Sequence, residues 1–207
     1  MTLPDQLPLF PLSNVVLFPD VFLPLHIFEE RYRAMTRDAL AGQALIGMTV
    51  LREGWQRDYE GTPPIYATGC AGTIVHHERL QDGRYNIVLK GVARFEVERE
   101  LETGAPYRVA QVRWHAETDA EGTRPAVTRV RRQVETLLLP AVARGEVRLP
   151  TELSDQALVN AVCQAIDVPI VEKLALLEKP DVVTRGLALL PILERLLIRL
   201  SGSGQVH

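Results

Sequence analysis

Leu7-Pro8-Leu9-Phe10-Pro11-Leu12 is followed by Asn14-Val15-Val16-Leu17-Phe18-Pro19 and then by Leu23-Pro24-Leu25-His26-Ile27-Phe28-Glu29-Glu30-Arg31-Tyr32. Prolines punctuate the apolar runs, and a helical pattern begins where they stop. Proline fixes φ and lacks the backbone N–H, so Pro8, Pro11, Pro19 and Pro24 predict short edge strands and turns. Beyond them Phe28, Tyr32, Met35 and Ala39-Leu40 fall at helical spacing, with Glu29, Glu30, Arg33 and Arg37 on the other side. That spacing predicts an amphipathic helix over 28–41, stopped by Gly42.

After Gly42 the period changes to that of strands. Leu45–Leu51, Ile65–Val75, Tyr85–Leu89, Val92–Val97 and Tyr107–Trp114 are rich in β-branched and aromatic residues and are separated by Gly or Pro. Asp82-Gly83 reads as a hairpin turn, because Gly accepts the positive φ a tight turn demands. Lys90-Gly91 reads as a second turn. The polar stretch Thr118–Thr123 then marks a boundary, and the pattern after it is helical.

Thr123 is a candidate cap for a helix whose buried stripe is Val127, Val130, Val134 and Leu137-Leu138, ended by Pro140. Ser154 is a candidate cap for the next, Pro169 starts a third through Glu178, and Pro180-Asp181 starts a fourth. The fourth is apolar on most sides and should lie centrally in a bundle, with a kink or break at Pro191. The expected organisation is α+β: a β part over 1–118, a helical part over 123–200 and a frayed tail over 201–207.

The chain has 207 residues, of which 46% are hydrophobic, and a net charge of −3. It can bury a substantial core, and its bulk charge argues against a polyanion binder. Cys70 and Cys163 are too few and too far apart for a disulfide scaffold, and no Cys-x-x-Cys pair suggests zinc or redox chemistry. Arg31 is the first basic residue, and no run approaches the ~18 apolar residues of a membrane span, which predicts a cytoplasmic protein. His76-His77, His115 and Cys70 have no recognised metal-ligand spacing, and adjacent strand residues point to opposite faces. Neither metal nor cofactor is expected.

The proline-punctuated start through Tyr32, the run Asp82-Gly83-Arg84-Tyr85-Asn86-Ile87-Val88-Leu89-Lys90-Gly91 with Arg94-Phe95, the segment Pro106–Ala110 and a looser match at Lys173–Leu177 together resemble the amino-terminal, substrate-binding domain of the Lon proteases. That family also occurs as free-standing proteins. The resemblance implies a five- or six-stranded, partly open β-barrel of the PUA-like superfamily, joined to a helical bundle. It also implies a role in binding unfolded or degradation-marked polypeptides, with a separate ATPase or protease as a possible partner.

The machinery of a complete Lon protease is not legible here. A phosphate loop needs Gly-Lys, yet none of the three lysines follows a glycine. The serines are Ser13, Ser154, Ser201 and Ser203, and none pairs recognisably with a lysine, so no enzyme activity is expected. The candidate binding residues are Trp55 and Tyr59 in an aromatic loop over 54–64, Arg84 and Arg94 beside aromatics on strands, and His26 at a strand-to-helix junction. Three of these have a structural alternative: His26 as a ring hydrogen-bonded to backbone, and Arg84 and Arg94 as ladder partners of Glu96 or Glu98. The rival function is a PUA-like RNA-binding module, which would need a basic face. A hydrolase would need a nucleophile and base that are not visible.

Overall fold

A computed structural model describes residues 3–58, 61–115, 117, 124–147 and 152–203, with side chains as far as Ile198. The described elements are β1 (Gln6–Leu12), β2 (Phe22–Ile27), α1 (Glu30–Ala41), β3 (Leu45–Val50), β4 (Thr68–Arg79), β5 (Tyr85–Leu101) and β6 (Val109–His115), then α2 (Arg124–Ala143), α3 (Asp155–Ala165), α4 (Ile170–Leu177) and α5 (Val182–Ser203). The six strands form one sheet in the order β2-β5-β4-β3-β1-β6, and β5 also pairs with β6. The sheet therefore returns on itself, and β2 is left at its end.

Two prolines sit in β1 although that strand has neighbours on both sides. Its first half, Gln6–Pro8, pairs with β6, and its second half, Leu9–Leu12, pairs with β3. Leu9 N–H donates to Arg108 O on the β6 side, whereas Leu12 O accepts from Leu51 N–H on the β3 side. By alternation, Pro8 turns its donorless nitrogen toward β3 before that pairing begins, and Pro11 turns its own toward β6 after that pairing has ended. The expected edge strand is thus realised only in β2. In β1 the stagger does what an edge would have done.

The strands expected at Tyr85–Leu89 and Val92–Val97 are one continuous strand, and the turn expected at Lys90-Gly91 is absent. Gly91 instead permits a close approach: a Cβ there would lie 2.0 Å from Phe18 O. Asp20 N–H donates to Gly91 O, and Gly91 N–H donates to Val21 O. The Asp82-Gly83 turn is present, with Gly83 at φ 82° and Leu80 N–H donating to Arg84 O at 2.8 Å.

Alternation along the strands divides the apolar residues into two clusters. Leu7, Leu9, Leu45, Ala71, Phe95, Ala110 and Val112 fill the space the returning sheet encloses. The larger cluster is continuous from Phe10, Phe18, Tyr32 and Met35 to Val134, Leu158, Leu177 and Leu189, so the β and helical parts share one core. On α1 the buried residues are Tyr32, Met35, Thr36 and Ala39. Phe28 precedes that helix and is exposed, a departure from the expected apolar face.

In the bundle, Ser154 caps α3 by accepting from Ala157 N–H at 3.2 Å. Asp181 caps α5, with Thr184 N–H donating to its Oδ1 at 2.8 Å. α5 touches α2, α3 and α4, which makes it the central helix. Pro140 does not end α2, contrary to expectation, and of the kink or break expected at Pro191 the break is absent. Both prolines lie on the exposed side, as do Thr136 and Leu187 four residues earlier, so water can satisfy the carbonyls they free. α5 continues to Ser203, past the expected start of a frayed tail at 201. Residues 204–207, the boundary at Thr118–Thr123, its candidate cap Thr123, and Tyr59 lie outside the described residues.

Candidate functional site

Among the described strands β2 pairs only with β5, so one edge and one face of it are open. Leu23, Leu25 and Ile27 turn inward, while Phe22, Pro24 and His26 turn to solvent. Phe28 continues the outward row beyond the strand. Phe22 is 52% and Phe28 61% exposed, although aromatic rings this large are ordinarily covered. Val75, in the irregular step of β4, is 49% exposed. Cross-strand neighbours widen the surface, since Pro24 lies opposite Val88, and Val88 opposite His76.

A polar row crosses this apolar surface. His26 pairs in register with Asn86, and its Nδ1 lies 2.8 Å from Asn86 Oδ1. Asn86 Nδ2 donates to Glu78 Oε2 at 3.0 Å, so its carbonyl oxygen is the group left to accept from His26. Arg84 Nη1 approaches His26 Nε2 at 3.4 Å, which together with Asn86 selects the tautomer with the proton on Nδ1. Arg84 is held by Asp82 at 2.6 Å, and that guanidinium keeps the Asp82 carboxyl below its ordinary range. The His26 ring stacks at 6.3 Å from Phe28. His26 and Arg84 are therefore brought together, by side-chain partners rather than by the backbone.

Next to Phe28, the start of α1 and the β4–β5 turn enclose an open groove of about 730 Å³, lined by Glu29, Arg31, Arg33, Arg37, Arg79 and Gly83 among others. Its charge is largely internally paired: Arg31 with Glu29, Arg37 with Asp38, and Arg33 Nε donating to Gly83 O at 2.8 Å.

Arg94 lies elsewhere. It is 5% exposed, and its guanidinium donates to Leu177 O at 3.2 Å and Pro180 O at 2.7 Å. Arg185, wholly buried, donates to Leu176 O at 3.1 Å, to Asn160 Oδ1 at 2.6 Å and to Glu117. Glu117 also faces Arg94 at 3.4 Å. The two arginines donate to carbonyls at the end of α4 and in the turn after it, and Glu117 offsets their charge. Burial, then the nearby Arg185, lowers the Arg94 pKa. Arg94 therefore fastens the sheet to the bundle instead of facing a ligand.

Trp55 is half-buried in a short 3-10 turn, Trp55–Asp58, and no contact among the described residues joins it to His26 or Arg84. His76 and His77 are both exposed on β4, opposite Val88 and Ile87. Among the described residues no three His, Cys, Asp or Glu converge on a metal position. Burial pushes both thiols up, that of Cys163 to about 12, so neither is a ready nucleophile. No described helix is long and apolar enough to cross a membrane. Sequence reading assigned Pro24 to an edge strand or turn and Phe28 to a helix face, and did not single out Phe22. Only the outward alternation of β2 around Leu23, Leu25 and Ile27 could have flagged them.

Comparison with known proteins gives this surface a setting. The family described as the ATP-dependent protease La (LON) substrate-binding domain matches residues 6–195. The chain is 31% identical over 205 residues to Lon protease 2 of Myxococcus xanthus, covering 93% of this chain and 24% of that protein. It is 29% identical over 205 residues to the Lon protease of Anaeromyxobacter dehalogenans, covering 93% and 23%. It thus spans about a quarter of the length of these curated relatives. Two solved structures share the fold. The N-terminal domain of Mycobacterium avium complex Lon protease has a TM-score of 0.68 at 17% identity, over 91% of this chain and 98% of that one. The Lon N-terminal domain protein from Xanthomonas campestris has a TM-score of 0.56 at 24% identity, over 93% and 97%. With the match running from the first residue of β1 into α5, the chain belongs to the family of Lon substrate-binding domains.

Proposed function

We propose that this chain is a non-catalytic, cytoplasmic module that binds unfolded or degradation-marked polypeptides and presents them to a separate ATPase or protease. Its sheet is read as a partly open, PUA-like barrel, and the binding surface as the outer side of β2. The observation that carries this reading is the pair of exposed rings, Phe22 on a strand with an open edge and Phe28 just beyond its end. Unfolded chains differ from folded ones chiefly in offering apolar side chains and unpaired backbone, and this surface matches both. The chemistry around it favours polypeptide over polyanion. Arg84, in the polar row beside the rings, and Arg31 each face a carboxylate, and the chain's net charge is −3, so neither this row nor the bulk charge marks the surface for phosphates.

The test is retention of an unfolded reporter, such as casein, by the immobilised protein. The double variant Phe22→Ser, Phe28→Ser should lose at least about tenfold in affinity, since each ring can bury about 1.5–3 kcal/mol of apolar surface. Retention unchanged in the variant, or abolished in wild type by moderate salt alone, would defeat the reading. Tight RNA retention with a steep salt dependence would favour the nucleic-acid alternative.

A further inference from the structure

The backbone of β2 points to a register. Val21 O accepts from Gly91 N–H and so faces β5, whereas Phe22 O accepts from Gln164 Nε2 at 3.1 Å and so faces away. Strand groups alternate in direction, so Leu23 and Leu25 also face β5, and Pro24 and His26 face the open edge. Phe22 O is thus covered by α3, and Pro24 has no donor. Beyond Phe22, Pro24 O, His26 N–H and His26 O are left, and none has a partner among the described residues.

Among the described residues, the end of β4 is also open. β3 pairs with β4 only as far as Thr73, so His76-His77-Glu78-Arg79 has no neighbour on that side. It carries the charged side chains that discourage strand addition, and β2 carries apolar ones.

We infer that an extended polypeptide segment adds to the open edge of β2 as a further strand, hydrogen-bonding Pro24 O, His26 N–H and His26 O. Apolar side chains at every second position of that segment lie beside Phe22, Pro24 and Phe28. This inference rests on the polypeptide-binding reading above and names the substrate class: a segment with period-two apolar residues and unsubstituted backbone amides. A helix or a phosphate chain presents no such row of alternating donors and acceptors, so the hydrogen-bond complementarity selects an extended strand. His26 takes part through its backbone, while its ring remains engaged with Asn86.

The experiment uses the whole chain and a fluorescein-labelled ten-residue peptide of alternating Phe and Thr, with binding followed by anisotropy. A series of the same peptide, each N-methylated at one backbone amide, is titrated against wild type. The expected result is a loss of about three- to tenfold at some positions of one parity and none at the other, the size of one net hydrogen bond. His26→Pro removes the outward N–H without touching the ladder to β5, and should bind about three- to tenfold more weakly than His26→Ala, which removes only the ring. If His26→Pro does not fold, as judged by circular dichroism, the N-methyl series on wild type decides alone. Binding that is indifferent to N-methylation, or equal in the two variants, overturns edge addition and leaves side-chain binding standing. Failure of wild type to bind both this peptide and casein would defeat the polypeptide-binding reading itself.

Discussion

Replacing Arg185 with Met tests how the two parts of the molecule are joined. The side chain is wholly buried, and Met keeps its length while removing every donor. Asn160 Oδ1 then loses its partner, and the Glu117 carboxylate, whose side chain is only 15% exposed, loses the nearer of its two arginines, while Leu176 O keeps Lys179 N–H at 3.2 Å. A neutral orphan costs about 1–3 kcal/mol, and breaking a buried ion pair by removing one partner costs about 3–5 kcal/mol. These overlap, because the hydrogen bonds are part of the pair, so the expected loss is about 3–5 kcal/mol. At about 2–4 °C per kcal/mol for a chain of this size, Tm falls by about 6–20 °C.

Urea unfolding measures the free energy directly. Adding Glu117→Gln should recover part of the loss, since the group left there is no longer an anion, and the double variant should be less than additive by about 1–2 kcal/mol. Asn160 Nδ2 also donates to Pro19 O at 3.0 Å, so hydrogen exchange should quicken in the 17–21 segment and in α4 more than in α1. A loss below about 1 kcal/mol for Arg185→Met would show that the network contributes little beyond its packing, and the reasoning would fail.

Two further outcomes are expected. Thr128, then Arg131, holds the Asp155 carboxyl below its ordinary value of 3.8, so its contribution is full above that value and is lost as pH falls through the lower folded value. Asp155→Asn should therefore lower Tm near neutral pH, with the gap to wild type closing in strong acid; a gap that stays constant down to about pH 2.5 would contradict this. Gly91→Ala puts a Cβ 2.0 Å from Phe18 O, and the backbone there must move at a cost of at least about 2 kcal/mol in urea unfolding. Were Gly91 a simple turn residue, the cost would be nearer about 1 kcal/mol or less.

Where sequence reading succeeded, one residue or one period determined the local structure. Asp82-Gly83 has a single good conformation, Ser154 has a single useful hydrogen bond, and α5 is apolar enough that it must be central. It missed where a residue's meaning depended on a distant segment. Gly91 looks like a turn unless the approach of Phe18 is known, and Pro8 and Pro11 look like edge markers unless the staggered pairing of β1 is known. Arg94 looks like a ligand contact or a ladder partner unless the carbonyl end of α4 is placed against it, and nothing local singles out Arg185. Phe28 fits a helical face by spacing, yet the helix begins at Glu30, and the ring is left outside.

Pro24 then acquires a second meaning. A strand with an open edge and two exposed phenylalanines is an aggregation hazard, because any sheet could extend from it. Pro24 removes one of the outward donors, and Gln164 occupies the acceptor at Phe22. The three groups that remain are worth about 1.5–4.5 kcal/mol together, and the two rings about 3–6 kcal/mol if fully covered. Association and the ordering of a flexible segment cost about 4 kcal/mol or more, so the net affinity for one segment should be micromolar at the tightest. Weak and short-lived capture is what the role proposed above, holding a polypeptide before passing it on, would require. The same proline that made the start of this chain legible as strand and turn thus limits how tightly the strand can hold what it binds.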